Sequence, residues 1–347
     1  MEQILLTGAN GLLGSQIAKR LIRKGYSVRA IKRNKSDLRL LGEDVHKIEW
    51  IEGDVRDVVS LEAAMNGVST VIHCAAMISF VPEDAEAMMQ VNAQGTANVV
   101  DAALYCGVKK MIHISSVAAF CRPKGVALID EQLDIKDSKD NFNYFRSKFY
   151  GEREAWRGLA EGLDVVVLCP STILGGGFWD MEPNKLFAQI HKGYPFYTTG
   201  VNGFVDVRDV ADVAMLAFDK DISGEKFIVS SENVGFNDLM WMIADALGVK
   251  RAKFKTGKWL GAIAWRGEWL LSKITGKRAL VTREVIEMAM CDFRYDNRKV
   301  CKELGFVFRP VAQTVKDVAA LYNTALEKKS SFSFFNNYTQ SAAALEN

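Results

Sequence analysis

Short apolar runs alternate with segments of helical periodicity over the first half of the chain. The run Gln3–Thr7 is followed by apolar residues at helical spacing over Leu12–Arg23, and the same alternation then recurs. The predicted strands are Gln3–Thr7, Ser27–Ile31, Lys47–Ile51, Thr70–His73, Lys110–Ile114 and Asp164–Leu168. The helices predicted between them include the long segments Glu86–Tyr105 and Asn141–Leu159. Strands that alternate with helices predict βαβ units and a doubly wound α/β fold with a parallel sheet.

The alternation becomes irregular after Pro170. Glycines at 175–177, followed by prolines, predict loops and short elements there. The later predicted elements are a strand end running into a helix over Phe204–Phe218, a strand over Lys226–Ser230, and helices over Asn237–Leu247 and Thr314–Leu326. The sheet is therefore expected to gain one late strand, while a smaller region covers it.

These patterns predict two regions followed by a tail. The larger α/β region takes residues 1–170 and is rejoined by 204–230, because the late strand extends the same sheet. Residues 171–203 and 231–328 are predicted to form a smaller C-terminal cap that binds substrate. Residues 329–347 are polar and then alanine-rich, and their end resembles a vector-encoded linker, so we interpret them as a tail outside the fold.

Charge and composition narrow the classes of partner. The 347 residues carry 44 Lys and Arg against 42 Asp and Glu, a formal net charge of +2. This balance gives no reason to expect a nucleic acid as partner. No histidine or cysteine spacing typical of a metal site is present. Because signal-peptide composition and an apolar stretch of ~18 residues are both lacking, we expect a cytoplasmic protein.

Three glycines follow the first predicted strand and lead directly into a helix. Gly8 permits a tight turn, Gly11 lets the backbone approach a diphosphate, and Gly14 allows close packing of the helix on the strand. The N-terminus of that helix offers N–H groups and a positive dipole end to phosphates. This context predicts a dinucleotide-binding domain of the Rossmann type over 1–170.

The end of the second predicted strand indicates which dinucleotide is preferred. An NAD-binding protein places Asp or Glu there for the ribose hydroxyls, but this chain has Lys32, Arg33 and Asn34. A guanidinium can hold a 2′-phosphate by a charge-assisted pair. We therefore predict NADP(H) as the preferred cofactor, with NAD(H) as the alternative. Asp54, after the third strand, is a candidate partner for the adenine amino group.

Tyr144 and Lys148 lie four residues apart on a predicted helix, so their side chains share one face. A free phenol has a pKa of ~10, and a nearby ammonium lowers it toward the range of a useful acid or base. The preceding strand ends in Ser115 and Ser116, and either hydroxyl could bind a reacting oxygen. Taken together, these residues predict proton transfer to or from a carbonyl or alcohol while a hydride moves at the nicotinamide.

With these motifs in order, the chain resembles the extended short-chain dehydrogenases/reductases of the NAD-dependent epimerase/dehydratase superfamily. The resemblance is strong from about Glu2 to Ser230 and weakens afterwards. The matching segments are Thr7-Gly8-x-x-Gly11-x-x-Gly14, Asp54, His73-Cys74-Ala75-Ala76, Val91-Asn92-x-x-Gly95-Thr96, Tyr144-x-x-x-Lys148-x-x-Gly151-Glu152, Cys169-Pro170 and Val207-x-Asp209-Val210-Ala211.

The resemblance implies roles for these residues. Tyr144 is the acid/base, Lys148 activates it and binds the nicotinamide ribose, and Ser116 binds the substrate oxygen, with Ser115 as the rival. The cofactor contacts implied are Gly8, Asn10, Gly11, Leu12, Leu13, Gly14, Arg33, Asp54, Val55, Cys74, Ala75, Ala76, Asn92, Tyr144, Lys148 and Pro170. The family also implies a homodimer.

One departure and two closer resemblances narrow the activity within the family. The dehydratases place a Thr-Asp-Glu group where this chain has Ser116 to Phe120, without a carboxylate, so a dehydratase is disfavoured. The segments Val28-Arg29-Ala30-x-x-Arg33 and His73–Ile78 resemble dihydroflavonol reductases and 3β-hydroxysteroid dehydrogenases respectively. An apolar rim is also expected, from Met77, Ile78, Phe80, Phe120, Phe178 and Trp179.

Residues 259–271 are rich in tryptophan and leucine and are flanked by basic residues. The segment is predicted to be an amphipathic helix that covers the substrate pocket or contacts a second subunit. Contact with a membrane surface is the less favoured interpretation.

The sequence thus favours an NADPH-dependent reductase of a hydrophobic ketone or aldehyde, or the reverse alcohol oxidation. A nucleotide-sugar epimerase with tightly bound NAD is one alternative. A non-catalytic NADP-binding regulator is another, although the tyrosine and lysine are both retained.

Overall fold

A computed structural model describes residues 2–121, 126–133, 142–181, 183–257, 259, 261, 265–267 and 282–334. Seven parallel strands of this part of the chain form the main sheet, in the order β10-β6-β5-β4-β1-β2-β3. They are β1 (Gln3–Thr7), β2 (Ser27–Lys32), β3 (Ile48–Glu52), β4 (Thr70–His73), β5 (Lys110–Ile114), β6 (Asp164–Pro170) and β10 (Glu225–Val229). The predicted doubly wound parallel sheet is therefore confirmed, and its strand order reverses between β1 and β4, where ligands bind in such folds.

Helices cover both faces of the main sheet. They are α1 (Leu12–Arg23), α2 (Val58–Met65), α4 (Gly95–Tyr105), α5 (Asn143–Ala160) and α7 (Val207–Asp219). Helices α1 and α7 enclose one apolar core against the sheet, and α2, α4 and α5 enclose another on the opposite face. Because the central strands are buried on both faces, they carry continuous apolar runs in place of alternation.

The long helix predicted over Glu86–Tyr105 contains an irregularity in its middle. Helix α3 (Ala85–Met88) continues through a π-helical segment, Met89–Gln94, into α4. Helix α5 packs closely on this segment at Gly151, where an added Cβ would lie 2.3 Å from the carbonyl oxygen of Asn92. The widened turn thus lies directly beside the helix that carries Tyr144, a position typical of functional π segments.

The smaller cap is built from later parts of the chain. Its elements are β7 (Thr172–Leu174), β8 (Phe196–Tyr197), β9 (Val201–Asp206), β11 (Glu232–Gly235), β12 (Phe254–Lys255), α6 (Lys185–His191), α8 (Phe236–Leu247), α9 (Arg283–Met288) and α11 (Val311–Glu327). Helix α10 (Arg298–Leu304) instead packs against β10 and α7, where Val300 and Leu304 join the core of the main sheet. Strands β11, β9 and β7 form a three-stranded sheet, and Phe187, Leu239 and Val315 belong to the core between this sheet and helices α6, α8 and α11.

The beginning of the predicted tail belongs to the folded structure. The amide of Ser333 donates to the carbonyl oxygen of Gly177 at 3.1 Å, and the amide of Trp179 donates to that of Ser331 at 3.1 Å. The ammonium of Lys19 lies 4.0 Å from the ring centre of Phe334. The interpretation of 329–347 as lying outside the fold is therefore wrong for residues up to 334. The phenylalanines of this segment pack against the folded part of the chain, and the polar residues around them made the segment look like a tail in the sequence. The segment that resembles a linker lies outside the described residues.

Replacing Phe334 by alanine is expected to destabilise the protein by about 1–3 kcal/mol, because the ring also packs on Gly42 and stacks with Phe332. Thermal unfolding measures the loss. Phe254→Ala is the matched control, since that side chain is 59% exposed, and it should leave the unfolding temperature nearly unchanged. Equal effects of the two substitutions would show that the 330–334 segment does not support the fold.

Of residues 259–271, the structure describes 259, 261 and 265–267. Trp259 is 86% exposed, while an added Cβ at Gly261 would meet Ile286 of α9. Within the described part of the chain, no helix is long and apolar enough to cross a bilayer. The amphipathic-helix interpretation of this segment stays a prediction.

Candidate active site

The three glycines of the first turn have distinct steric reasons. Gly8 has φ +70°, and a Cβ there would lie 2.8 Å from the amide nitrogen of Ala75. A Cβ on Gly14 would lie 2.0 Å from the carbonyl oxygen of Gly8, whereas one on Gly11 would lie 3.3 Å from the same atom. Of the three, Gly8 and Gly14 are therefore required by the protein's own packing. A glycine at position 11 is explained instead by the close approach of a ligand to the turn.

The N-terminus of α1 is open to such a ligand. Gly11 occupies the position before the helix and provides no side-chain cap for the first-turn amides. Asn10 and Leu12 are partly exposed beside it, whereas Leu13 is buried in the core. Uncapped amides at a positive dipole end, next to a cradle without side chains, fit the diphosphate of a dinucleotide.

A buried hydrogen-bond chain supports the turn from below. Thr7 Oγ1 accepts from the amide of Ala75 at 3.1 Å and contacts His73 Nδ1 at 2.7 Å. His73 Nε2 contacts Thr96 Oγ1 at 3.1 Å, and that hydroxyl donates to the carbonyl oxygen of Asn92. These partners place the proton of a neutral His73 on Nε2, and burial lowers the pKa of this imidazole to about 3. Sequence reasoning did not identify this role of Thr7, His73 and Thr96.

Cys74, Ala75 and Ala76 follow β4 at the same edge of the sheet and are at least partly exposed beside the glycine turn. Val55 is buried and packs near Gly95 of α4. Pro170 is buried at the end of β6. The predicted cofactor residues therefore come from neighbouring strand ends of one sheet edge.

Arg33 is exposed just beyond the end of β2, and its amide donates to Ser36 Oγ at 3.0 Å. The carboxylate of Asp54 binds Arg56 through both oxygens, at 3.0 and 2.9 Å. The hydrogen bond from Arg56 holds the pKa of Asp54 below its usual value, and the charge of Arg33 contributes to this. Arg33 and Asp54 are therefore close enough to interact, at the place where the adenosine half of a dinucleotide would lie.

Tyr144 and Lys148 lie on α5, as predicted, with their side chains toward the ends of β5 and the loop after β4. Ser116 lies close enough to the phenol of Tyr144 to influence its pKa, and Ser116 Oγ accepts from the amide of Ala118 at 3.1 Å. Lys148 Nζ donates to the carbonyl oxygen of Ile114 at 3.1 Å and is 5% exposed. The structure therefore brings Ser116, Tyr144 and Lys148 together.

Burial dominates the electrostatics of this group. It raises the pKa of the Tyr144 phenol above its usual value, and the interaction with Ser116 opposes the rise. Burial also lowers the pKa of Lys148 to about 8. The expected lowering of the tyrosine pKa by the lysine is not found in this structure, where desolvation of the phenolate dominates and Ser116 provides the opposing effect.

Ser115, the rival to Ser116, points away from the phenol. Its hydroxyl donates to Glu152 Oε2 at 2.6 Å, and the side chain is 5% exposed. Successive residues of an extended chain face opposite sides, so a single strand end presents Ser116 to the site and Ser115 to the interior.

Asn92 lies in the π segment and is fully engaged in holding a neighbouring loop. Its Oδ1 accepts from the amide of Met77 at 2.7 Å, and its Nδ2 donates to the Met77 carbonyl oxygen and to Ser147 Oγ. Asn92 thereby ties the loop after β4 to α5. In this structure the Asn92 side chain therefore stabilises the loop and helix that form the site, through hydrogen bonds to Met77 and Ser147.

The surroundings of Tyr144 are apolar and largely aromatic. The ring of Phe80 lies 5.5 Å from that of Tyr144, and Phe145 and Phe293 are stacked edge to face nearby. Met288 of α9 packs against the same cluster. Phe293 and Met288 were not predicted from the sequence, because they lie in the cap, far along the chain from any motif.

Part of the predicted rim lies elsewhere. Phe120 is 1% exposed and packs under the ammonium of Lys226. Trp179 belongs to the cap core against Tyr322, and Phe178 contacts Phe332 of the C-terminal segment. Phe80 does lie beside the site, against Tyr144, whereas Ile78 is 60% exposed. Among the described residues, no group of three or more His, Cys, Asp or Glu side chains could hold a metal ion.

Comparison with known proteins agrees with this geometry. The model of the NAD dependent epimerase/dehydratase family matches residues 4–230. A putative dihydroflavonol 4-reductase of Synechocystis sp. is 29% identical, over 90% of this chain and 92% of that protein. Sterol demethylase protein B of Methylococcus capsulatus is 31% identical, over 72% of this chain and 76% of that protein.

Among solved structures, gox2253 superposes with a TM-score of 0.80 at 32% identity, over 93% of this chain and 98% of that one. The segment matched by the family model contains the glycine turn, the helix with Tyr144 and Lys148, and the strands of the main sheet from residue 4 onward. The chain belongs to the NAD-dependent epimerase/dehydratase family, the extended short-chain dehydrogenases/reductases, and is an NAD(P)-dependent oxidoreductase of that type.

Proposed function

We propose that the protein reduces a ketone or aldehyde group on a hydrophobic small molecule with NADPH, or catalyses the reverse oxidation. The observation that carries this is the proximity of Ser116 to the phenol of Tyr144, with Lys148 one helical turn away and bound to the carbonyl oxygen of Ile114 at the end of β5. When bound, the reduced nicotinamide supplies the hydride.

The side chains of the site have complementary tasks in this reaction. Ser116 donates a hydrogen bond to the carbonyl oxygen and orients it. Tyr144 donates its phenolic proton to the same oxygen as the alcohol forms, and its raised pKa keeps that proton in place at neutral pH. Lys148, as an ammonium, stabilises the negative charge that then develops on the tyrosine oxygen.

An apolar substrate is supported by what surrounds the tyrosine. Phe80, Phe145, Phe293 and Met288 offer no charged group to a sugar or a diphosphate. The relatives named for a dihydroflavonol and a sterol are consistent with a substrate of this kind. A pocket of aromatic and aliphatic side chains with a few directed polar groups favours a hydrophobic carbonyl compound.

NADPH is the proposed cofactor because Arg33 is exposed near the adenosine end of the site, close to Asp54. We expect Arg33→Ala to weaken NADPH binding about 10- to 100-fold and to leave NADH binding within about twofold, because one charge-assisted pair to the 2′-phosphate is lost. Titration of nicotinamide fluorescence measures both affinities.

The purified protein should first be checked for cofactor that is already bound. Arg251→Ala is the matched control, an exposed arginine of the cap paired with Asp245, and it should change neither affinity. Equal affinities of the unsubstituted protein for NADPH and NADH would contradict the cofactor preference. They would leave the reductase chemistry to be tested separately.

A further inference from the structure

A buried ion pair lies directly behind the proposed catalytic group. Glu152 follows Lys148 by one turn of α5, and its Oε1 binds Lys226 Nζ of β10 at 2.6 Å. The two side chains are 6% and 12% exposed. Such a pair is costly to bury and gives little net stability compared with apolar side chains of the same size, so its presence calls for another reason.

The carboxylate of Glu152 is surrounded by donors from three parts of the fold. Ser115 Oγ donates to Oε2 at 2.6 Å, and Trp156 Nε1 donates to Oε1 at 3.3 Å. The thiol of Cys169, on β6, contacts Oε2 at 3.5 Å. Glu152 therefore joins α5 to the ends of both β5 and β6.

The same pair supports the turn that carries Ser116 from both sides. Ser115 precedes Ser116 and is bound to Glu152, while Phe120 ends the short 3-10 helix that starts after Ser116. The ammonium of Lys226 lies 4.0 Å from the ring centre of Phe120. Between these two anchors the Ser116 side chain accepts from Ala118 and meets Tyr144.

Glu152 is also the negative charge that faces Lys148. The other titratable groups that interact with that ammonium are Cys74 after β4, His73 on β4, His113 on β5 and Cys169 on β6. Burial raises the pKa of both thiols and lowers that of both imidazoles, so all four are neutral at neutral pH. Cys169, Glu152 and Cys74 each oppose the desolvation of Lys148, and because the two thiols are neutral, Glu152 is the one of these three that carries a negative charge at neutral pH.

We propose that Glu152, held by Lys226, is a positioning residue that fixes the Ser115–Phe120 turn and thereby the Ser116 hydroxyl, and that sustains the ammonium of Lys148. This rests on the proposed function, in which Ser116 and Lys148 act on the reacting oxygen. The pair thus has a role in the geometry and charge of the site.

The test uses the full chain and separates this role from stability. Glu152→Gln leaves a buried, uncompensated ammonium and should lower the unfolding temperature markedly. The double variant Glu152→Gln/Lys226→Met removes both charges and should recover most of that loss. The control is Asp206→Asn/Arg208→Met, which neutralises an ion pair buried to a similar extent at the start of α7.

Two readouts are taken on the folded variants. The first is the affinity for NADPH as a function of pH, a measurement that needs no substrate. In the unsubstituted protein the affinity should fall near pH 8, where Lys148 loses its proton. In the double variant the same fall should occur at a lower pH, because the carboxylate that favours the ammonium is gone. The second is kcat on any hydrophobic carbonyl compound that is turned over, which should fall about 10- to 100-fold in the double variant. Neither should change in the control pair.

Ser115→Ala separates the positioning of Ser116 from the effect on Lys148. It removes the hydrogen bond between Ser115 and Glu152 and retains the Glu152–Lys226 ion pair. It should lower kcat without moving the pH dependence of NADPH binding. The proposal is overturned if the folded double variant matches the unsubstituted protein in the pH profile, or if NADPH affinity does not respond to pH near 8. Absence of turnover in every protein would count against the proposed function, while the NADPH profile would still decide the role of Glu152.

Discussion

Replacing Tyr144 by phenylalanine is expected to lower kcat about a thousandfold, while the affinity for NADPH stays nearly unchanged. The substitution removes the proton that the proposed reaction gives to the substrate oxygen, and general acid catalysis contributes about 100- to 10,000-fold. The ring itself remains packed against Phe80 and Phe145, so the fold is retained. Steady-state kinetics with NADPH and a responsive carbonyl compound, together with fluorescence titration of NADPH, measure both quantities.

Tyr105→Phe is the matched control for this substitution. Tyr105 ends α4, is 79% exposed and lies outside the site, so its hydroxyl should contribute nothing to turnover. Full turnover by the Tyr144→Phe protein would contradict the assignment of the phenol as proton donor.

Alanine at Gly14 and alanine at Gly11 are both expected to impair cofactor binding, but only the substitution at Gly14 is expected to destabilise the fold strongly. At Gly14 the added methyl group would meet backbone atoms of Gly8 at 2.0 and 2.7 Å, so the turn must shift. We expect a loss of about 3 kcal/mol in unfolding free energy, with cofactor binding abolished. At Gly11 the nearest atom is 3.3 Å away, and the backbone is extended, so stability should change by less than about 1 kcal/mol.

NADPH affinity should nevertheless fall about 100-fold in the Gly11→Ala protein, because the methyl group occupies the approach of the diphosphate to the helix N-terminus. Denaturant unfolding and fluorescence titration on the two variants separate the packing role from the binding role. A Gly11→Ala protein that binds NADPH normally would show that the diphosphate lies elsewhere.

The main sheet could be predicted from the sequence because each of its strands is short, apolar and bounded by polar or glycine residues. Strands β1, β4 and β5 begin and end at the predicted residues. Helix α1 also begins and ends at the predicted residues. Local periodicity is enough to predict a strand or helix when the buried face of that element can be read from its own pattern of apolar residues.

The cap and the surroundings of the site could not be predicted in the same way. Phe293 and Met288 approach Tyr144 only through tertiary packing, which no local period records. The π segment around Asn92 interrupts an otherwise regular helical pattern at the place where Gly151 of α5 packs against it, and the local pattern of the helix does not record that contact. Glu152 matched the family motif, but its partner Lys226 lies 74 residues away on a late strand, so their pairing appears only in the fold.

Transfer of deuterium from NADPH labelled at C4 of the nicotinamide tests the reductase function most directly. The labelled cofactor, one stereoisomer at a time, is incubated with the protein and a panel of hydrophobic ketones and aldehydes, and products are analysed by mass spectrometry. We expect one deuterium on the carbinol carbon of the product from a single stereoisomer, with an equal amount of NADP⁺ formed. A protein that consumes no NADPH, retains NAD(H) from purification and interconverts sugar nucleotides would contradict it and would identify an epimerase.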